Sequence, residues 1–266
     1  MENVIKHEYL VNILAVGDVV SREGLACLCR HLPSIIAMKQ IDFTVVNGEN
    51  AAMLGITPAQ AEEIFNAGAD VITLGNHSWA KKEIIPYVDE TPNIIRPLNY
   101  APQVPGRGFT IIERDFGTVL VVNLIGRCGM DFGAENPFLA IDKCLEEQSA
   151  SIVLVDIHAE ATSEKLALGY YLDGRVTAVW GTHTHVQTSD AMVLPKGTGY
   201  VTDIGMTGPL HSVLGVRPEQ SINMFLGNPR QRFESAGGKC KIECAIFTVD
   251  TRTGFTQDVE VLRVHD

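Results

Sequence analysis

Apolar residues recur in this chain as short runs that stop at glycine, asparagine or a charged residue, with helix-spaced stretches between them. The first run, residues 11–16, ends in Gly17-Asp18 and reads as a buried strand with a carboxylate just beyond its end. Residues 21–37 place Leu25, Leu28, Leu32 and Ile36 near helical spacing, with Pro33 as a kink or restart. A second run, 43–46, leads into Asn47-Gly48-Glu49-Asn50. Thr57 and Pro58 then read as the cap and first turn of a helix that reaches about Ala67, where Gly68 stops it. A third run, 71–74, leads into Gly75-Asn76-His77-Ser78-Trp79, and a helix is expected over about 81–89 despite Pro86. The repeat is β-α-β-α-β with similar punctuation, the pattern of a layered α/β core.

The middle of the chain changes character. Pro92, Pro97, Pro102 and Pro105 punctuate a stretch that reads as irregular. Phe109–Arg114 and residues 119–124 form a predicted hairpin around Asp115-Phe116-Gly117, residues 126–130 a loop, and Pro137–Glu147 a short helix. Residues 152–155 predict a strand ending near Asp156 and His158, and 163–171 a helix. Residues 176–180 predict a strand that stops at Gly181, before Thr182-His183-Thr184-His185. Short strands are expected at 193–194 and 199–201, a glycine-rich functional loop at 202–209, and a short helix at 221–226. Cys240–Asp250 and residues 257–264 should pair across Thr253-Gly254. No solenoid period or low-complexity linker interrupts the chain, so one domain over residues 1–266, built on two sheets, is the expectation.

Composition narrows this picture without redirecting it. Of 266 residues, 45% are hydrophobic and 20% charged, as in a folded soluble protein. No apolar run reaches eighteen residues, so no membrane span is expected. The start, Met1-Glu2-Asn3-Val4-Ile5-Lys6-His7-Glu8, lacks a basic region followed by an apolar core, which argues against secretion. None of the six cysteines forms a Cys-x-x-Cys pair; free thiols and a cytoplasmic location follow. Zinc on Cys240 and Cys244 would lack two further ligands. The net charge of -11 argues against stable binding to a nucleic-acid backbone, though a short RNA end stays open. It does not oppose a small anionic substrate, because bound metal ions reverse the local field.

The polar residues that end these runs carry the chemistry. His183 and His185, two residues apart beside glycine and threonines, suit a transition metal such as zinc, iron, manganese or nickel. Asp18 alone reads equally as a helix cap. Glu49 lies between two asparagines after a buried strand, a poor place for a solvent group and a good one for a bridging ligand, and Asn50 can add an amide oxygen. Asn76 and His77 can each stabilise a turn; as a pair, one binds metal while the other faces substrate. His158 lies in Asp156-Ile157-His158-Ala159-Glu160, where Asp156 and Glu160 read either as ligand-orienting partners or as helix-start charges. His7, His31 and His265 read as ordinary, and His211 is undecided. Ligands on so many separate segments predict a binuclear centre that hydrolyses a phosphate ester. Ions about 3.5–4 Å apart can share a hydroxide that attacks phosphorus while they hold the phosphoryl oxygens. A neighbouring histidine then donates a proton to the leaving alkoxide, a role that His77 fits if Asn76 binds the metal. A single-metal hydrolase leaves several of these residues without work.

In order along the chain, five blocks stand out: Gly17-Asp18-Val19-Val20, Asn47-Gly48-Glu49-Asn50-Ala51-Ala52, Thr73-Leu74-Gly75-Asn76-His77-Ser78-Trp79, Asp156-Ile157-His158-Ala159-Glu160-Ala161-Thr162-Ser163-Glu164-Lys165 and Gly181-Thr182-His183-Thr184-His185-Val186-Gln187-Thr188. With them the chain resembles the bacterial YmdB-like metallophosphoesterases, a branch of the calcineurin-like superfamily, over residues 13 to about 262. The resemblance implies one ion held by Asp18, Glu49, Asn50 and His185 and a second held by Glu49, Asn76, His158 and His183. Glu49 bridges them, and His77 is the proton donor or transition-state stabiliser. The wider superfamily commonly has Asp-x-His and a bridging aspartate. This chain has Asp18-Val19-Val20 and Glu49 instead, with Asn50 at the missing ligand position, and both departures match the YmdB-like branch.

The implied fold is a four-layer α/β/β/α sandwich with two mixed sheets and a capping portion around residues 92–137. The implied cofactors are two divalent or mixed-valence transition-metal ions, iron or manganese. The implied substrate is a small phosphodiester, a 2′,3′-cyclic or 3′,5′-cyclic nucleotide, and a homo-oligomer is compatible with the family. Residues 96–107, 126–133 and 202–209 are expected to shape the pocket, with Arg107 and Arg127 either on phosphate or stabilising loops or an interface. The alternatives are a broader phosphomonoesterase or nucleotidase and a nucleotide-binding regulatory protein with weak turnover.

Overall fold

Successive residues of a strand point to opposite faces, and in the first strand both faces are buried. In β1 (Leu10–Val16), Leu14 and Val16 join one apolar cluster while Val11, Ile13 and Ala15 join another. A strand covered on both sides needs a layer on each side of its sheet. The computed structural model, which describes residues 9–130, 133–229 and 231–266, supplies them. The N-terminal octapeptide with His7, residues 131 and 132 of the 126–133 loop, and Arg230 lie outside the described residues.

After β1 come β2 (Asp18–Val19), α1 (Ser21–Lys39), β3 (Ile41–Asn47), α2 (Pro58–Asn66), β4 (Val71–Thr73), α3 (Ile84–Glu90) and β5 (Ile94–Ile95). The middle holds β6 (Phe109–Arg114), β7 (Gly117–Ile125), α4 (Pro137–Glu147), β8 (Ile152–His158), α5 (Thr162–Leu172) and β9 (Ala178–Thr182). The last part holds β10 (Met192–Val193), β11 (Gly199–Val201), β12 (Met206–Pro209), α6 (Pro218–Phe225), β13 (Cys240–Asp250) and β14 (Phe255–His265). One sheet runs β2-β12-β13-β1-β3-β4-β5, with β14 beside β13; the other runs β10-β11-β9-β8-β7-β6. Both are mixed: β1 is parallel to β3 and antiparallel to β13, while β7, β8 and β9 are parallel and β6 is antiparallel to β7.

Three apolar clusters define four layers. Leu28 and Leu32 of α1, Ile64 of α2 and Val88 of α3 pack on Leu14, Val46 and Ile242 of the first sheet. Ile13, Phe43 and Phe247 of that sheet meet Val121, Leu154 and Trp180 of the second, with the Trp180 and Phe247 rings 5.7 Å apart. Val122, Val155 and Val179 on the far face of the second sheet pack on Ile141 of α4 and Leu168 of α5. The architecture is the expected α/β/β/α sandwich. No described helix is long and apolar enough to cross a membrane.

Several boundaries differ from the sequence reading. Pro33 sits inside an uninterrupted α1, and the third helix starts at Ile84. The stretch 92–137 contributes β5 to one sheet and β6 and β7 to the other. β9 does not stop at Gly181 but includes it and Thr182, and His158 is the last residue of β8 rather than a residue beyond it. Residues 206–209, read as loop, form β12, because Thr207 pairs with both Val19 and Ile242. The parallel strands β1, β3, β4, β8 and β9 end at one edge, where open α/β sheets form their crevices.

Candidate active site

Strands β1, β3 and β4 of the first sheet each lead into a tight turn that carries polar residues. Asp18 follows Gly17, whose added Cβ would stand 2.2 Å from the Gly205 carbonyl oxygen, so glycine is what lets the chain pass. After β3, the Glu49 N–H donates to Asn47 Oδ1 at 3.2 Å and the Met53 N–H to the Asn50 carbonyl at 2.8 Å. After β4, Ser78 Oγ closes the turn on the Gly75 carbonyl at 2.6 Å, and the His77 N–H donates to Glu49 Oε2 at 3.1 Å. The second sheet adds His158 from β8, and His183 and His185 from the turn after β9. Both turn histidines have left-handed backbone, φ 94° and 62°.

The side chains meet in two groups. His158 Nε2 lies 3.0 Å from Asn76 Oδ1, 3.1 Å from Glu49 Oε1 and 3.1 Å from His183 Nδ1. Beside it, His185 Nε2 lies 3.7 Å from Asp18 Oδ1 and 3.4 Å from the Asn50 amide nitrogen, which is 3.0 Å from Glu49 Oε1. Glu49 touches both groups. His77 Nδ1 is 3.0 Å from Asn50 Oδ1 and 3.3 Å from Glu49 Oε1, and its side chain is 29% exposed.

Charge in this cluster is unbalanced. Asp18 and Glu49 are completely buried. Burial pushes both carboxyl pKa values up. Neighbouring imidazoles (His185 and then His158 for Asp18, His158 and then His77 for Glu49) more than offset it and leave both below the usual range. Burial draws His158 down, yet the Glu49 and Asp18 carboxylates lift it to about 9. Burial and the neighbouring His158 charge push His183 down to about 4.

These residues fit metal ions. His158 Nε2 and the three atoms around it, Asn76 Oδ1, Glu49 Oε1 and His183 Nδ1, are four lone-pair donors that suit a cation among them. Asp18 Oδ1 is buried and has no hydrogen-bond partner, a group that natural structures seldom leave unsatisfied. A network behind His158 fixes its ring. Thr182 Oγ1 donates to Asp156 Oδ1 at 2.8 Å, so it accepts from His158 Nδ1–H at 2.9 Å and leaves the Nε2 lone pair to the centre. Thr73 Oγ1 and Asn47 Nδ2 donate to the other Asp156 oxygen at 2.6 and 3.5 Å.

Asp18, Glu49, Asn50, Asn76, His77, His158, His183 and His185 are thus brought together. A cavity of about 170 Å³ opens on Glu49, Asn50, His77, His183 and His185, walled by Met53, Leu54, Leu214 and Val216. Arg107 and Arg127 are exposed and line other cavities, of about 440 and 670 Å³. Asp156 is a buried strand residue rather than a helix-start charge, and Glu160 Oε2 lies 3.2 Å from His183 Nε2. Sequence reasoning missed Thr73 and Thr182, whose hydroxyls matter only once two strands are side by side. It also missed Leu214, whose carbonyl accepts from His185 Nδ1 at 3.3 Å. His211 is exposed and His265 lies in β14. A second set of metal-type donors, Cys27, His31 and Asp266, is already satisfied: Asp266 accepts from Arg30, His31 and the Cys240 N–H.

A sequence model of the family described as YmdB-like protein matches residues 14–262. A 2′,3′-cyclic-nucleotide 2′-phosphodiesterase of Bacillus subtilis is 41% identical over 259 residues, covering 96% of this chain and 98% of the relative. Among solved structures, a hypothetical protein from Thermus thermophilus superposes with a TM-score of 0.90 at 42% identity, covering 96% of this chain and 100% of that one. A phosphatase from Mycoplasma pneumoniae superposes with a TM-score of 0.91 at 32% identity, covering 96% and 94%.

Proposed function

Since the chain belongs to the YmdB-like family, we propose that its centre is a two-ion phosphodiesterase site that opens 2′,3′-cyclic nucleotides. The observation that carries the proposal is the doubling of the donor set around Glu49. One group comprises Asp18, Asn50 and His185, the other Asn76, His158 and His183, and the Glu49 carboxylate reaches both. One ion would be held by the first group with Glu49 and a second by the other group with Glu49. Iron or manganese suits these imidazole, carboxylate and amide donors. When bound, the ions supply positive charge to the phosphoryl oxygens and lower the pKa of the water that attacks phosphorus.

The protein's own residues do the rest. The Asp156–Thr182 relay keeps the His158 lone pair directed inward, and the buried carboxylates stay ionised at neutral pH. His77, partly exposed in the pocket wall and anchored through Nδ1, donates the proton that the departing ribose oxygen needs as the P–O bond breaks. For a 2′,3′-cyclic nucleotide, cleavage at O2′ adds water across that bond and yields a 3′-phosphomonoester and a free 2′-hydroxyl. The apolar wall leaves the nucleoside beside the centre rather than in water. The B. subtilis relative's name favours 2′,3′-cyclic over 3′,5′-cyclic substrates.

The test compares metal-loaded protein on 2′,3′-cAMP, 3′,5′-cAMP and AMP under identical conditions. We expect the highest kcat/KM on 2′,3′-cAMP with 3′-AMP as product. Turnover confined to AMP would replace this reading with a phosphomonoesterase, and tight nucleotide binding without turnover would replace it with a regulatory protein.

A further inference from the structure

Two buried charged side chains lie beside the histidine turn and belong to neither donor group. Lys165 of α5 and Asp203, between β11 and β12, are both fully buried, with Lys165 Nζ 2.8 Å from Asp203 Oδ2. Such a pair gives up the hydration of two ions, and a well-packed apolar pair often serves stability as well or better. Its meaning lies in what it holds. Asp203 Oδ2 also accepts from Thr184 Oγ1 at 2.6 Å and from the Thr184 N–H at 3.2 Å, and Thr184 is the residue between His183 and His185. Asp203 Oδ1 accepts the Gly205 N–H at 2.8 Å, and the Gly205 carbonyl accepts the Asp18 N–H at 3.2 Å. One carboxylate therefore joins Asp18 on the first sheet to the two histidines at the edge of the second.

The backbone of the turn explains why a tie is needed. If β9 simply continued, residues 183 and 185 would share one face, because side chains alternate along a strand. The left-handed φ of 94° and 62° breaks that alternation, in a region that L-residues rarely adopt. As a result, His183 Nδ1 turns to His158 Nε2 at 3.1 Å while His185 Nε2 turns to Asp18 Oδ1 at 3.7 Å. Gly181 completes the arrangement. A Cβ there would stand 1.9 Å from the Thr202 carbonyl oxygen and 2.7 Å from Lys165 Cδ, so the glycine clears the path for the lysine stem.

We infer that the Lys165–Asp203 pair is a positioning device: through Thr184 it holds the turn in its left-handed form, so that His183 and His185 serve different ions. The inference rests on the two-ion reading. Lys165 Nζ donates to Asp203 Oδ2 and holds that carboxylate in place, and Asp203 supplies the bonds to Thr184.

The experiment titrates Mn²⁺ into chelator-stripped full chain by calorimetry and records the melting temperature of each metal-free protein. Thr184→Ser keeps the hydroxyl and should bind Mn²⁺ within threefold of wild type. Thr184→Val keeps the shape without the hydroxyl and should lose about 10- to 100-fold at one or both sites, the range found when a ligand's supporting group is removed. Lys165→Met combined with Asp203→Asn, a neutral pair of similar shape, should show the same loss while melting near wild type. Wild-type Mn²⁺ affinity in both Thr184→Val and the neutral pair would overturn the inference, as would losses that merely follow the unfolded fraction. If the neutral pair does not fold, the Thr184→Val and Thr184→Ser comparison decides. If wild type itself binds a single Mn²⁺, the two-ion reading fails, and the Thr184 comparison at that one site still reports on the clamp.

Discussion

Gly75 stands where a methyl group has no room: an added Cβ would lie 2.3 Å from Glu49 Oε2 and 2.4 Å from His158 Nε2. Both neighbours are fixed, Glu49 by its contacts with Asn50 and His77 and His158 by Thr182, so neither can step aside. Gly75→Ala should therefore fold but displace the carboxylate shared by the two groups, lowering kcat/KM by about 100-fold, the scale of a 1 Å misplacement. Metal analysis and steady-state kinetics check this; near-wild-type values would show that the turn can yield. The thiols respond to burial in the same local way. Burial, helped by nearby carboxylates, pushes Cys27 and Cys244 to about 12 and Cys144 and Cys240 to about 11, while Cys128 is exposed. Iodoacetamide at pH 8 should alkylate Cys128 first in native protein and reach those four after unfolding, as mass spectrometry would reveal. At this scale the sequence was legible where polar residues directly follow an apolar run, as at Glu49-Asn50, Asn76-His77 and His183-Thr184-His185. Lys165 was not, because a lysine on a helix reads as solvated and its partner Asp203 lies 38 residues further on. Arg107 and Arg127 read equally as phosphate contacts or as stabilisers of loops or an interface, because exposed guanidinium groups in loops have many uses, and the structure sets them in other cavities.

At the scale of elements, the capping box of α2 shows how a local sequence signal supports the site. Thr57 Oγ1 accepts the Gln60 N–H at 3.3 Å, Gln60 Oε1 accepts the Thr57 N–H at 3.0 Å, and Gln60 Nε2 continues to the Ala51 carbonyl at 2.8 Å. The box thus anchors the helix to the turn that carries Glu49 and Asn50, while touching neither side chain. Thr57→Ala should cost about 1 kcal/mol, a fall of roughly 2–4 °C in Tm for a chain of this size. The activity per folded molecule should stay within about twofold. Thermal scans beside initial rates measure both, and a large rate loss would mean that the helix start governs ligand geometry. Thr57-Pro58 made this helix readable, as the apolar runs did for β1, β3 and β4. The ends of β8 and β9 were less readable. His158 and Thr182 are polar, and their strand conformation comes from pairing with Ile125 and with each other, not from local propensity. β12 was hidden for a similar reason: Met206–Pro209 contains glycine and proline and becomes a strand through β2 and β13.

Across the whole molecule, the apolar runs pointed to two sheets and the family resemblance to their four-layer packing, and the chain folds them so that the polar residues at their strand ends meet. The first sheet brings Asp18, Glu49, Asn50 and Asn76, and the second brings His158, His183 and His185. Without an ion, this junction holds two buried carboxylates, one of them with an unpartnered oxygen. An ion that binds there connects the sheets as well as neutralising the carboxylates, so metal binding and folding stability should be linked. At a free Mn²⁺ concentration 100 times Kd, one site adds about 2.7 kcal/mol. At about 2–4 °C per kcal/mol, chelator-stripped protein should gain roughly 5–10 °C in Tm on loading one site and more on loading two. Two substitutions separate the possible origins of the gain. Glu49→Ala removes the group that both donor sets share and should abolish most of the Mn²⁺-dependent shift. His77→Ala should keep the shift while losing about 10²–10⁴ in kcat, because its proposed role concerns a proton and not an ion. Scanning fluorimetry with and without Mn²⁺, beside kcat on 2′,3′-cAMP, provides both readouts. A full shift in Glu49→Ala would mean that the ions bind elsewhere, whereas a lost shift in His77→Ala would move His77 from the proton-donor role to the ligand set.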